Sequence, residues 1–161
     1  MQRSFDASDV TIREAVAVPV AIMEHRGPPN EIGATIRRFI DWRKANGLPP
    51  RRSRTFNIFH SDPGDTDPRD YRMDLCAATE QVFDADEHGV VSGIIPGGRC
   101  AVLRIVGHTD DLESAALYLY RDWLPQSGEE ARDFPLYCER IAFFPDVPET
   151  EAIADLFLPL R

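Results

Sequence analysis

The sequence has few cysteines, and they do not form a recognisable motif. Its 161 residues include three, Cys76, Cys100 and Cys138, with no Cys-x-x-Cys pair among them. An odd number of widely separated cysteines argues against a disulfide framework and against a zinc site. Because all three lie in apolar segments that resemble strands, the sequence predicts buried thiols.

Long apolar runs are also missing. No stretch approaches the roughly 20 apolar residues that a helix needs to cross a bilayer. The first residues, Met1 to Asp6, lack the basic and then apolar pattern of a signal peptide. The sequence therefore predicts a cytoplasmic protein with no membrane association.

Positive charge is scarce. Lysine and arginine number 18 against 27 aspartates and glutamates, so the net charge is −9. This balance counts against direct DNA binding, because affinity for phosphate comes from basic residues. One basic stretch remains, with neither a helix-turn-helix before it nor stacking aromatics within it, and a solvated helix face plus loop is predicted for it. Its members are Arg37, Arg38, Arg43, Lys44, Arg51, Arg52 and Arg54.

The usual catalytic signatures are absent from the sequence. It has no Gly-x-Ser-x-Gly, no glycine-rich phosphate loop and no His-Glu-x-x-His. Its four histidines lie in unrelated segments, so we predict neither a metal site nor a cofactor. Asp62, Asp65 and Asp67 lack the spacing and the distal glutamate of a calcium loop, and they are predicted to fix turns between strands.

The chain instead contains one pattern twice. In the first pass a strand (18–26) ends at Gly27, and a helix (28–46) and two strands (55–60 and 71–78) follow. In the second pass a strand (99–106) ends at Gly107, a helix begins near Thr109 and Asp110 and ends at Leu124-Pro125, and two strands follow (137–143 and 152–158). The helical spacing predicts two buried faces: Ile32, Ile36, Phe39, Ile40 and Arg43 in the first, and Leu112, Ala116, Leu119, Tyr120 and Trp123 in the second.

The two passes align by their own landmarks. Gly27 leads to Asp41-Trp42 as Gly107 leads to Asp122-Trp123, with a difference of one residue in spacing. Further strands near 10–16 and 90–95 are predicted to extend the sheets. Because strands outnumber helices, this predicts an α+β fold in one domain spanning 1–161. Its repeats, about 10–80 and 90–160, are strand–helix–strand–strand units.

Glu139 is a charged residue in an apolar setting. Strict alternation in the strand 137–143 puts Tyr137, Glu139, Ile141 and Phe143 on one face. An ionised carboxylate is costly on an apolar face, so it has a basic partner, is protonated, or meets a ligand. A structural ion pair with Arg72 or Arg104 is the competing interpretation.

Aromatic residues fall where helices and strands should meet. Most of them are expected in the core, although tyrosine and tryptophan also suit the wall of a pocket for a flat or cationic ligand. They are Trp42, Tyr71, Tyr118, Tyr120, Trp123 and Tyr137.

Several short motifs, in order, resemble the GyrI-like, or AraC-type effector-binding, domain family over roughly residues 10 to 160. Ile95-Pro96-Gly97-Gly98-Arg99-Cys100-Ala101-Val102 resembles its "IPGG-x-YAV" strand entry, and residues 123–128 its "WLP-x-SG" helix exit. Residues 25–28 resemble "HRGPY", residues 62–63 the loop "DDP", and residues 72–76 the strand "R-x-D-x-C". Pro135, Glu139, Asp155 and the segment 159–160 match its closing strands.

The resemblance implies a pseudo-twofold axis between the repeats, an antiparallel sheet with helices on one face, and a ligand groove between the repeats. It also implies that Glu139 faces cationic, aromatic, drug-like ligands. Three family tyrosines are replaced here, by Pro29, Cys100 and Ile141, which puts in doubt a mechanism that needs a tyrosine proton donor.

The function that we expect is binding of a small organic ligand, for sequestration or for transcriptional sensing, the latter with a separate DNA-binding regulator as partner. The predicted ligand-binding residues are Glu139, Tyr137, Tyr71, Trp42, Tyr118 and Trp123. Two alternatives remain open: a hydrolase of electrophilic cytotoxins with Glu139 as general base, and a protein inhibitor of DNA gyrase whose acidic surface mimics DNA.

Overall fold

The structure is a computed structural model that describes residues 4–61, 66–84, 88–109 and 112–161. Within these residues the fold is α+β, as predicted, with antiparallel strands and two helical regions. The strands are β1 (Val10–Ala15), β2 (Val18–Arg26), β3 (Thr55–Phe59), β4 (Arg72–Ala78), β5 (Val91–Ile95), β6 (Gly98–Val106), β7 (Tyr137–Ala142) and β8 (Ile153–Pro159). The helices are α1 (Ile32–Ala45), α2 (Glu113–Leu117) and α3 (Leu124–Ser127), with a π-helical segment, Tyr118–Trp123, between the last two.

The chain forms two compact units. The first unit is Ala17–Pro96, and the second unit is Gly97–Arg161 together with the segment that ends at Val16. The strand order is β3-β4-β2-β5 in the first unit and β1-β6-β8-β7 in the second, and the neighbouring strands are antiparallel. The first strand of each sequence repeat therefore pairs with a strand of the other repeat: β1 pairs with β6, and β5 pairs with β2.

The core of the first unit lies between α1 and one face of its sheet. Alternation along β2 and β4 supplies small and medium apolar side chains to that face, and α1 supplies aromatic ones. The buried cluster consists of Ala21, Met23, Phe39, Trp42, Tyr71, Met73, Leu75, Ala77 and Val90. Phe39 and Trp42 stack with ring centroids 5.8 Å apart.

The predicted apolar face of the first helix was partly wrong. Phe39 and Arg43 are buried, but Ile36 and Ile40 are 39% and 44% exposed. The buried stripe instead includes Thr35, whose hydroxyl hydrogen-bonds Nδ1 of buried His25 at 2.7 Å. A prediction that considers only apolar residues cannot assign a threonine to the buried face, even when its hydroxyl is hydrogen-bonded to a buried partner.

The second helical region also departs from the prediction. Leu112, Leu119 and Trp123 are buried as predicted. Ala115 is buried in place of Ala116, and Tyr120 is 43% exposed. Tyr120 lies in the π-helical segment, whose wider turn departs from the α-helical spacing that predicted it to be buried.

The predicted end of this helix at Leu124-Pro125 was wrong as well. Pro125 lies inside the helical region, in α3 directly after the π-helical segment. The helix ends at Ser127 and is followed by Gly128, which has the left-handed φ of 76°.

The two glycines that mark the repeats occupy matching positions. The amide of Gly27 donates to the carbonyl of Tyr71, just before β4, at 2.9 Å. The amide of Gly107 donates to the carbonyl of Ala152, just before β8, at 2.7 Å. Both have positive φ, 127° and 81°. The same local bond therefore joins corresponding elements in each unit, as a duplication requires.

Two sequence predictions fall on residues outside the described ranges: the turn that contains Asp62 and Asp65, and the helix cap at Asp110. No helix among the described residues is both long enough and apolar enough to cross a membrane. The three cysteines are thiols and are buried, which confirms their predicted burial.

Candidate functional site

Three strands of the second unit place Glu139 in a row of charged residues. In the sheet register Glu139 of β7 pairs with Asp155 of β8, and Asp155 pairs with Arg104 of β6. Directly paired residues of a sheet project from the same face. We call this surface the Glu139 face, and its members are Arg13, Cys100, Arg104, Tyr137, Glu139, Asp155 and Phe157.

The carboxylate of Asp155 is the centre of the charged row. It is 4% exposed and accepts two hydrogen bonds from Arg104, at 2.8 Å from Nε and 3.0 Å from Nη2. Arg13 makes a longer contact, 3.5 Å from its Nη2 to Oδ2 of the same carboxylate. The pKa of Arg104 is raised, first by Asp155 and to a smaller extent by the charge of Glu139. Glu139 is thus half-buried beside Arg104, one of the two arginines considered from the sequence.

An aromatic pair lies next to these charges. The rings of Tyr137 and Phe157 stack with centroids 4.8 Å apart and planes 3° from parallel. The Arg13 guanidinium lies over the Phe157 ring, 5.3 Å from its centroid. Both rings are buried, and burial is the main reason why the pKa of Tyr137 is raised. The phenol oxygen lies 3.8 Å from Sγ of Cys100.

The predicted alternation along β7 holds only as far as Arg140. The pairing register shifts between Arg140 and Ala142, so that Ala142, not Ile141, pairs with Ile153. Ile141 is the extra residue of this irregularity and is 44% exposed. Strict alternation therefore no longer assigns side chains to the Glu139 face beyond Arg140, because a β-bulge inserts an extra residue.

The first unit carries a matching row with different chemistry. Asp74 of β4 pairs with Glu24 of β2 and with Ile58 of β3. Its carboxylate, 2% exposed, contacts Arg72 at 3.3 Å and Nε2 of His60 at 2.8 Å. Ile58 therefore stands where the second unit has Glu139. The units share a buried aspartate, and the second unit has Arg104 and Glu139 beside it where the first has Glu24 and Ile58.

The six predicted ligand-binding residues do not lie together. Tyr137 and Glu139 share a face of the second unit, whereas Trp42 and Tyr71 belong to the core cluster of the first unit, on the side of its sheet that α1 covers. Trp123 is buried in the π-helical segment. Tyr118 packs against Phe5, with ring centroids 5.6 Å apart.

Sequence reasoning missed Phe157 and Arg13 as members of the site. Phe157 looked like an ordinary apolar residue of the last strand, and Arg13 lies in the N-terminal strand far from Glu139 in the chain. Alternation within one strand gives the face of each residue but not which strands are neighbours. Only the pairing of β1 with β6 brings Arg13 to this surface.

Comparison with known proteins agrees with this architecture. Residues 8–161 match the family described as the GyrI-like small molecule binding domain. The chain is 35% identical over 153 residues to the "Probable transcriptional regulator YgiV" of Escherichia coli K12, covering 94% of this chain and 96% of that protein.

Among solved structures, the C-terminal domain of EcmrR has a TM-score of 0.74 at 15% identity, over 94% of this chain and 96% of that one. SAV2435, solved bound to tetraphenylphosphonium, has a TM-score of 0.60 at 10% identity, over 94% of this chain and 93% of that one. The two structures share the fold, and the sequence match extends over nearly the whole chain. The chain therefore belongs to the GyrI-like small molecule binding domain family.

Proposed function

We propose that this chain binds a cationic, aromatic small molecule on the Glu139 face, and that it uses this binding to sense or sequester the compound. The observation that carries the proposal is a half-buried carboxylate, Glu139, beside the stacked rings of Tyr137 and Phe157. Aromatic rings offer apolar area and a negative face to a cation. A carboxylate with restricted access to water adds a charge contact that is stronger than at an open surface.

The duplication itself supports a special role for Glu139. Ile58 fills the matching position of the first unit, so the fold does not require a carboxylate there. Keeping a charge half-buried has an energetic cost unless it is compensated. Arg104 lies within electrostatic reach of this carboxylate, and a cationic ligand would add a further favourable contact to it.

One relative supports the chemical class of the proposed ligand, and another supports the proposed role in sensing. Tetraphenylphosphonium, the ligand of SAV2435, is a monocation surrounded by aromatic rings. The name of YgiV points to transcriptional regulation, which favours sensing over simple sequestration. The hydrolase and the gyrase-inhibitor functions remain hypotheses drawn from the sequence alone.

Two ions of the same shape and opposite charge provide the test. Tetraphenylphosphonium and tetraphenylborate should be titrated separately into the purified protein, with the heat or the tryptophan fluorescence as the signal. We expect saturable binding of the phosphonium and binding of the borate at least about tenfold weaker, because the face holds a carboxylate for the cation. Equal affinities would mean that apolar contact alone drives binding, and tighter binding of the borate would contradict the proposed ligand class.

A further inference from the structure

We propose that Arg13 is a built-in competitor of the ligand: its guanidinium occupies the place of the cation and must move away when a cationic compound binds. This inference rests on the function proposed above and identifies the residue that limits affinity for cations. It concerns contacts within the second unit only.

The position of Arg13 imitates that of a bound cation. Its guanidinium carbon lies 5.3 Å from the centroid of Phe157, within the distance at which a cation is attracted to a ring face. The same group reaches the buried carboxylate of Asp155 at 3.5 Å. Phe157, on which it lies, is only 4% exposed. A ligand that is to stack on this ring needs the space that Arg13 fills.

Arg13 is also the cation of this face that can leave most easily. Arg104 holds Asp155 through two hydrogen bonds of 2.8 and 3.0 Å, whereas Arg13 makes one contact at 3.5 Å. The Arg13 side chain is 49% exposed. Water can therefore solvate the guanidinium when it swings outward, while Arg104 keeps its two hydrogen bonds to the buried carboxylate of Asp155.

The charge balance of the face leads to the same conclusion. Three arginines stand against two carboxylates at this face: Arg13, Arg104 and Arg132, whose Nη2 lies 3.8 Å from Sγ of Cys100, against Glu139 and Asp155. A monocation that entered beside all of them would add to an excess of positive charge in a partly buried place, which is unfavourable. Outward movement of Arg13 offsets the added charge. One cation thus replaces another.

The first unit shows that strand pairing does not require this arginine. Arg13 pairs with Cys100, and Gly93 pairs with Val20 at the matching position of the first unit. Cys100 and Val20 each lie seven residues before the repeat glycine, Gly107 or Gly27. On β5 a glycine occupies the position that an arginine has on β1. The requirements of the fold therefore do not explain why an arginine lies there.

The test is the affinity for tetraphenylphosphonium after Arg13→Met, which keeps the length of the side chain and removes its charge. We expect binding of the cation to tighten by about threefold to tenfold, the factor that corresponds to losing a competing cation–π contact and a weak ion pair. Binding of tetraphenylborate should stay the same or weaken. A merely structural role for Arg13 would not move the two ions in opposite directions.

The matched control is Arg69→Met, which removes the same charge from a side chain that is 85% exposed and pairs locally with Asp67. It should leave both affinities unchanged. Arg13→Gln repeats the measurement if the methionine variant does not fold. Unchanged or weaker binding of the phosphonium by folded Arg13 variants would overturn the inference while leaving the proposed function intact. Failure of the native protein itself to bind the phosphonium would instead overturn the proposed function, and the inference with it.

Discussion

Arg43 shows how this chain stabilises a charge inside a core. The side chain is 4% exposed, and its guanidinium donates to the carbonyls of Leu48 and Ser53 and to the hydroxyl of Thr55, each at 2.7 Å. Burial lowers the pKa of Arg43 to about 10, because desolvation disfavours the charged form. The three acceptors offset that cost and fix the loop after α1 to β3.

We therefore expect Arg43→Lys to lower the free energy of unfolding by about 2–3 kcal/mol, although the substitution keeps the charge. An ammonium cannot reproduce the planar set of donors that reaches three acceptors, so at least one buried carbonyl loses its partner. Urea unfolding followed by tryptophan fluorescence measures the loss.

Arg38→Lys, at an exposed position of the same helix, is the control and should change stability by less than about 0.5 kcal/mol. Equal effects of the two substitutions would show that Arg43 acts only through its charge.

Single residues were predictable from the sequence where a local pattern decides their setting. Glu139 was identified because alternation along one strand places it among apolar neighbours, and the structure finds it half-buried beside Tyr137. The irregular pairing around Ile141 was not predictable, because nothing in the sequence of this segment indicates a bulge. Arg13 was not identified because its neighbours on the face come from strands that are distant in sequence.

At the scale of elements, the turns after β2 and β6 were predictable and the helix faces less so. A glycine that closes an apolar run is a local signal, and both Gly27 and Gly107 have positive φ. The buried side of a helix depends on what it packs against. In α1 a threonine faces inward because its partner is the buried ring of His25, and that pairing involves another element.

Two glycines of similar backbone conformation give a prediction at this scale. Gly47 and Gly107 have φ of 70° and 81°, but an added Cβ meets nothing within 4 Å at Gly47 and the Thr150 carbonyl oxygen at 3.0 Å at Gly107. Gly47→Ala should cost about 1 kcal/mol for the left-handed conformation. Gly107→Ala should cost about 2 kcal/mol or more, because the carbonyl must also give way. Urea unfolding of both variants checks this, and equal losses would mean that the Thr150 segment adapts freely.

At the scale of the whole molecule, the repeat was visible in the sequence, but the exchange of its opening strands was not. Landmarks such as Gly27 and Gly107 lie inside each repeat, so they align without any knowledge of pairing. The pairing of β1 with β6 and of β5 with β2 joins segments from different repeats. Which edge a strand joins is decided by burial across the sheet and not by the sequence of the strand itself.

The charge of the whole chain bears on its partners. A net charge of −9 disfavours contact with DNA. Arg43, one of the seven residues of the basic stretch, is buried and already bonded, so it is not available to a phosphate. That the chain itself does not bind DNA stays a prediction, as does a protein partner such as DNA gyrase or a separate DNA-binding regulator.

The central claim is that Glu139 holds the cation of a small aromatic ligand, and the dissociation constant of tetraphenylphosphonium for Glu139→Gln tests it most directly. The substitution keeps the shape and removes the charge. We expect affinity to fall by roughly tenfold to a hundredfold, the range of a charge-assisted contact. Glu130→Gln, at an exposed position of the same unit, should leave affinity unchanged. Native-like affinity in Glu139→Gln, together with a lower free energy of unfolding, would contradict the account and leave Glu139 only as a structural partner of Arg104.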